Sequence, residues 1–302
     1  MPLQWNIFRT RALSALLFAA IMLLGLLWNE WSFLLLFVVV HFGCWAEYQK
    51  LMGLIDKGYA AINPFHRYGI MVGGLGLMLL LTGNWKLGND LQLHEVGFFL
   101  FIMALVVVAV SELLFSRQLL FSHLLISLLG LLYISLSWGL LLHIRSGALW
   151  MPKDGGTTFS NIATLLARIS GYAIPLLIVG SIWVNDTMAY IVGSLIGKTP
   201  LSKVSPQKTW EGTVGGVVLA VAVMTLIGLA SGKGSAWYWA VIALLAAVAG
   251  TAGDLLESKL KRVAGVKDSG NVLPGHGGFL DRFDSLLLAV PVVWLFLKIT
   301  SL

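Results

Sequence analysis

Two glycine-rich stretches in the second half of the chain gather the residue types that handle phosphate esters. The later one begins Gly253-Asp254-Leu255-Leu256-Glu257-Ser258-Lys259-Leu260-Lys261-Arg262 and continues Gly265-Val266-Lys267-Asp268-Ser269-Gly270. It ends Pro274-Gly275-His276-Gly277-Gly278-Phe279-Leu280-Asp281-Arg282-Phe283-Asp284-Ser285. Asp254, Glu257 and Lys261 fall at i, i+3 and i+7, one helical face, and Asp281 and Asp284 repeat the i, i+3 step. Carboxylates paired on one face at two helix ends can share hard divalent cations. With no cysteine nearby and one local histidine, the donors are oxygens, which suits Mg²⁺ rather than zinc. Lys259, Lys261, Arg262, Lys267 and Arg282 carry enough positive charge to hold several phosphates. Acid and base in one glycine-rich site match metal-assisted phosphoryl or nucleotidyl transfer, where a metal neutralises the polyphosphate and basic residues align it for in-line attack. His276, inside Pro-Gly-His-Gly-Gly, reads either as a member of that site or as a loop residue tolerant of an unusual backbone.

The earlier stretch, 197–212, holds Lys198, Lys203 and Lys208 with the hydroxyls of Thr199, Ser202, Ser205 and Thr209, and it runs into a helix expected from about Thr213. Backbone N–H groups at a helix start favour phosphate, and lysines add point charges. The pattern GxxxxGK[ST] is absent and no strand precedes the stretch, so it is not a P-loop. Taken alone it reads equally well as a basic cytoplasmic loop. Upstream, Asp186 stands inside an apolar run, between Ile182-Trp183-Val184 and Met188-Ala189-Tyr190-Ile191-Val192. An ionisable residue within a span is costly and functional by default; the competing reading is a helix–helix polar contact made with Asn185 and Thr187.

The elements that must position these groups are membrane helices. Of the 302 residues, 58% are hydrophobic and 11% charged, with mean hydropathy +0.87; a soluble domain carries about 25% charged residues. Apolar runs occupy 12–28, 31–46, 69–82, 97–115, 119–144, 172–196, 213–230, 237–256 and 286–302, most of them near the roughly 20 residues a span needs. The expectation is an all-α, polytopic integral membrane protein with about nine transmembrane helices. The first run follows Arg9 and Arg11 but lacks an A-x-A-like cleavage site, so it is read as a retained span. With the N-terminus in the cytoplasm, six of the 20 basic residues (Lys86, Arg145, Lys153, Arg168, Lys233 and Lys298) fall outside and the remaining fourteen inside, as the positive-inside rule asks. The net charge of +6 therefore calls for no nucleic-acid partner. Residues 1–144 read as a transmembrane scaffold whose polar residues sit in short connectors such as Glu47-Tyr48-Gln49-Lys50. Residues 145–171 read as an external connector with an amphipathic turn at 162–169. Residues 172–302 read as a catalytic region with cytoplasmic loops at 197–212 and 257–285. Cys44, the single cysteine, excludes an internal disulfide.

The run from Ser258-Lys259-Leu260-Lys261-Arg262 through Lys267-Asp268-Ser269 to Pro274-Gly275-His276-Gly277-Gly278-Phe279-Leu280-Asp281-Arg282-Phe283-Asp284 closely resembles the signature of the phosphatidate cytidylyltransferases, or CDP-diacylglycerol synthases. Asp186-Thr187, Ala189-Tyr190, Gly193 and Gly197-Lys198 resemble the same family, as do Ser205-Pro206, Lys208-Thr209, Glu211-Gly212 and Gly215-Gly216. The resemblance is dense over 182–285; in the first half little beyond the spans and Glu47 matches. It implies condensation of CTP with phosphatidic acid to CDP-diacylglycerol and pyrophosphate, using Mg²⁺ with or without a second cation. It also implies a helical homodimer in a cell membrane, taken as a bacterial inner membrane, with a polar cavity open to the cytoplasm and the lipid bilayer. Asp254, Asp281 and Asp284 match the family's acidic metal positions; Ser258, Lys261, Arg262, Lys267 and Asp268 match its polar signature; Lys198, Ser205, Lys208 and Thr209 match its first loop. The expected catalytic set is Asp186, Lys208, Asp254, Lys267, Asp268 and Asp281. Lys198, Ser205, Thr209, Ser258, Lys261, Arg262, His276 and Arg282 are expected to bind substrate.

The lipid phosphate is already anionic near neutral pH, so the reaction asks for no strong base; lysines would stabilise the departing pyrophosphate. One departure stands out. Around Asp186 the family pattern A-D-[ST]-G-A-Y asks for small neighbours, and this chain has Asn185 and Met188. That implies a changed lipid or nucleotide preference, or only a repacked helix. Two other readings stay open: a related CTP-dependent enzyme with another lipid acceptor, and an ion-coupled transporter using Asp186. The transporter would need broken helices at corresponding places of two similar halves, and the halves here are unlike.

Overall fold

In hydrocarbon every backbone N–H and C=O must be satisfied within its own segment, so long apolar runs become helices. The computed structural model describes residues 5–83, 85–88, 91–116, 121–150, 160–230, 236–271 and 277–300. Its helices are α1 (Trp5–Leu27), α2 (Glu30–Ile55), α3 (Lys57–Ala60), α4 (Pro64–Leu80), α5 (Leu93–Phe115), α6 (Phe121–Gly130), α7 (Leu136–Ser146), α8 (Ser160–Ile196), α9 (Trp210–Ala230), α10 (Ala236–Val263) and α11 (Leu280–Thr300). A π-helical turn, Leu131–Ser135, joins α6 to α7, and a two-stranded ribbon pairs β1 (Lys86–Leu87) with β2 (Leu91–Gln92).

The chain is a multi-span, all-α membrane protein. Among the described residues seven helices are long and apolar enough to cross a membrane. The other two apolar runs are helical as well, but shorter: the apolar part Leu16–Leu27 of α1 and the 17-residue α4. Polar residues fix where several helices begin. Asn29 caps α2 through Trp31 N and Ser32 N, while Ser32 Oγ accepts the Asn29 N–H in return. Asn63 caps α4, with Pro64 at the first helical position.

Two boundaries differ from the expectation. Glu47-Tyr48-Gln49-Lys50 is not a connector but lies inside α2, with Glu47, Tyr48 and Gln49 buried. Helix α8 already begins at Ser160, so the turn expected at 162–169 is its first part. The start lies upstream because the polar residues there are compatible with helix and only the apolar stretch marks the span.

The chain divides into two compact units. Unit 1 comprises Met1–Leu142 and Leu260–Phe283; unit 2 comprises His143–Lys259 and Asp284–Leu302. In unit 1, aromatic rings form the core: Phe37 against Trp138 at 4.9 Å, and Trp138 against Phe283 at 5.6 Å. The 260–283 segment thus packs with the N-terminal helices. In unit 2, α8 and α9 approach closely because Gly193, Gly212 and Gly216 lie at their contact, the small-residue packing that membrane helices use.

Candidate functional site

Unit 2 holds a polar cleft of about 470 Å³, lined among others by Asn185, Asp186, Ser205, Lys208, Thr209, Thr251 and Asp254. The first loop forms one wall because it is folded back on itself. Leu201 N donates to Lys208 O at 2.7 Å, Trp210 N to Thr199 O at 2.9 Å, and Pro200 bridges Thr209 in antiparallel fashion. Glu211, in the first turn of α9, grips the loop's origin: its carboxylate accepts Lys198 N at 3.1 Å, Thr199 N at 3.2 Å and Thr199 Oγ1 at 2.8 Å. Thr209 Oγ1 accepts Gly212 N at 3.2 Å and so caps α9. The folded-back loop carries Ser205, Gln207 and Lys208 to the cleft, where the Lys208 ammonium pairs with the Asp254 carboxylate. Ser258 Oγ, one turn on, donates to Asp254 Oδ1 at 3.2 Å.

Asn185, 2% exposed, faces the same cleft. Its Nδ2 points to two oxygens, Asp186 Oδ1 at 3.4 Å and Thr251 Oγ1 at 3.3 Å. Thr251 in turn donates its hydroxyl proton to Ala247 O at 2.9 Å, so both neighbours of the amide are acceptors. That fixes the amide orientation and leaves Asn185 Oδ1 buried without a partner among the described residues. Asp186, Asp254 and this orphaned carbonyl are hard oxygen donors. They fit Mg²⁺, which is commonly held by one or two carboxylates together with water and substrate phosphates. Among the described residues no three of His, Cys, Asp and Glu converge to form an all-protein cage, and Mg²⁺ does not need one. Met188 is not among the residues lining the cleft.

Unit 1 holds a second polar cluster, built on the 260–283 segment. Lys261 Nζ lies 2.6 Å from Asp281 Oδ1. Asp281 Oδ2 receives Gly278 N at 2.8 Å and Ser269 N at 2.9 Å. Ser269 Oγ lies 2.9 Å from the same oxygen and 2.7 Å from Glu47 Oε2. Glu47 also accepts Phe279 N at 2.9 Å and Leu280 N at 2.8 Å. This carboxylate comes from α2, in the half that the sequence marks as scaffold.

Asp186, Ser205, Lys208, Thr209 and Asp254 are therefore gathered around one cleft with Ser258 behind them, and Lys261 with Asp281 in the other cluster. Lys198 is exposed and is not among the lining residues. Arg262, also exposed, donates to Val266 O at 3.3 Å at the end of α10. Lys267, Asp268 and Arg282 are exposed, while Asp284 is buried, with its Oδ1 accepting Ser285 N at 2.6 Å. His276 lies outside the described residues. Glu47 and Glu211 match the family pattern but stand outside the expected catalytic and binding sets, and Thr251 belongs to neither pattern nor set. For Glu47 the usable signal was an acidic residue within a turn of an apolar run; for Glu211, an acidic residue in a first helical turn.

Residues 9–300 match the profile of the cytidylyltransferase family. The chain is 47% identical over 122 residues to a phosphatidate cytidylyltransferase of Bacillus subtilis, covering 40% of this chain and 45% of that protein. It is 42% identical over 132 residues to a protein of the same name from Synechocystis, covering 42% and 44%, and 46% identical over 118 residues to one from Helicobacter pylori, covering 38% and 44%. The chain thus spans less than half the length of each of these curated relatives.

Proposed function

The chain belongs to the cytidylyltransferase family, and on that premise we propose that it transfers the cytidylyl group of CTP to phosphatidic acid, giving CDP-diacylglycerol and pyrophosphate. The observation that carries this reading is the Lys208–Asp254 pair on the wall of a polar cleft built between apolar helices. A soluble phosphate and a lipid phosphate can meet only where charge is available at membrane-helix ends. The relatives named for this reaction support the choice of substrates.

In the proposed reaction a phosphate oxygen of the lipid attacks the α-phosphorus of CTP, and the bond to the β-phosphate oxygen breaks as pyrophosphate leaves. Lys208, already held by Asp254, presents a fixed positive charge to the polyphosphate. Ser205 and Thr209 offer hydroxyls beside it. Lys261, held by Asp281, gives the second cluster a fixed positive charge of its own. Magnesium is proposed in unit 2 at Asp254 beside Asp186, and a second cation in unit 1 at Asp281; when bound, each would supply charge neutralisation for phosphate groups, while Asp284, buried with Oδ1 accepting Ser285 N, joins neither set. The basic-residue bias supports a cytoplasm-facing site, and the family resemblance supports a homodimer.

The test is incubation of detergent-solubilised protein with CTP labelled in its cytidine, Mg²⁺ and phosphatidic acid. Label is expected in the lipid fraction, with release of pyrophosphate. Label entering only when another lipid phosphate replaces phosphatidic acid would assign the related activity. Label entering no lipid overturns the proposal.

A further inference from the structure

A buried carboxylate must be met by donors, and Glu47, 7% exposed, has three. Two are the backbone N–H groups of Phe279 and Leu280 at the start of α11, which have no acceptor inside that helix. The negative charge also sits at the positive end of the helix dipole. Glu47 is a cap supplied to α11 by α2. Gly270 and Gly278 lie against it so closely that a methyl group at either position would overlap the carboxylate oxygens.

The third donor joins this cap to Asp281. Ser269 Oγ stands between Glu47 Oε2, at 2.7 Å, and Asp281 Oδ2, at 2.9 Å, and a hydroxyl has one proton to give. Asp281 already receives Lys261 Nζ, Gly278 N and Ser269 N, so the proton goes to the shorter contact, Glu47. Ser269 then stays anchored even when Asp281 turns to another partner.

We infer that Glu47 is a positioning residue: it holds Ser269 and the first turn of α11, so that Asp281 keeps its place while giving up its protein donors to a ligand. This rests on the proposed cytidylyl transfer, in which Asp281 serves the polyphosphate.

The variant E47Q keeps the size of the side chain but turns an amide NH₂ toward donors. Its kcat is expected to fall roughly tenfold, the size of a lost hydrogen bond to a charged group. The Mg²⁺ concentration for half-maximal rate should rise, with KM for phosphatidic acid unchanged. E47D, one methylene shorter but still charged, should recover part of the rate. S269A combined with E47Q should be no slower than E47Q alone, because the hydroxyl acts through the same carboxylate. Amide exchange over 277–283 should be faster in E47Q than in the parent protein. A merely structural role would reduce the amount of folded protein without moving the Mg²⁺ dependence. Parental kcat and Mg²⁺ dependence in E47Q overturn the inference, as does unchanged exchange over 277–283. If the parent protein itself transfers no cytidylyl group, the functional reading has failed; faster exchange in E47Q then still upholds the anchoring, and unchanged exchange overturns it.

Discussion

Lys208, in the first loop, and Asp254, on α10, form an ion pair across 46 residues of sequence, at the edge of a polar cleft. The pair fixes the lysine where a polyphosphate would need it, and the carboxylate keeps a second oxygen turned to Ser258. K208M is expected to lower kcat/KM for CTP by about 10²- to 10³-fold, the range seen when one electrostatic contact to a transition state is removed, with the Mg²⁺ dependence unchanged. D254N should lose rate to a similar extent and also require more Mg²⁺. Titration of the rate against MgCl₂ separates the two, and chelation should stop turnover in every form. A D254N protein with parental rate and metal dependence would sink this assignment.

The helices and the basic glycine-rich loops were legible because each follows from a local pattern: apolar length for the spans, and glycine beside charge for the loops. The partners of those loops were not. Glu47 lies 222 residues before Ser269 and 233 before Leu280, and no linear spacing links a lone acidic residue in α2 to a helix start so far downstream. The end of α2 lies beyond where the apolar pattern stops for a related reason. Hydropathy falls at Glu47-Tyr48-Gln49-Lys50, yet the backbone stays helical because the buried Glu47 and Gln49 find donors or acceptors in the fold. Asp254 and Asp281 stood out as candidates from their spacing, but only the structure pairs the one with Lys208 and the other with Lys261.

Close approach of α8 and α9 sets the floor of the cleft. A methyl group at Gly216 would lie 2.7 Å from Asn185 O and 2.8 Å from Ala189 Cβ, so one helix must move. G216A is expected to destabilise the protein by about 1–3 kcal/mol, the usual penalty for overpacking, and to lower transfer activity because Asn185 and Asp186 ride on the displaced turn. Thermal unfolding in detergent and kcat on the folded fraction report the two effects. Unchanged values for both would show that α8 and α9 are not packed as described.

A buried relay in unit 1 offers a stability test remote from the chemistry. Burial holds the Tyr59 phenol above its ordinary value, so it stays protonated and can donate to Ser127 Oγ at 3.2 Å. Ser127 Oγ lies 2.8 Å from His66 Nε2, and His66 Nδ1 lies 2.6 Å from Glu112 Oε1. Asn63 Nδ2 and Ser116 Oγ also donate to Glu112, at 3.0 and 2.7 Å. E112Q turns a donor toward these donors and is expected to destabilise by about 1–3 kcal/mol, with unchanged kcat per folded molecule. A fall in melting temperature without loss of specific activity is the expected pattern. An equal melting temperature would mean the relay does not hold the helices together.

Asn185 and Met188 are the two departures from the small-residue pattern around Asp186, and the structure separates their consequences. Asn185 lines the cleft and carries a buried carbonyl oxygen without a partner among the described residues, whereas Met188 is not among the lining residues. An acceptor left without a partner among the described residues gains most when a ligand donor or a cation meets it. N185A is therefore expected to lower kcat/KM for CTP by roughly tenfold, the loss of one buried hydrogen bond, and M188A to leave it unchanged. Steady-state kinetics with CTP and with phosphatidic acid varied in turn will show which substrate feels Asn185. If M188A changes substrate preference while N185A does not, the departure acts through helix packing rather than through the cleft.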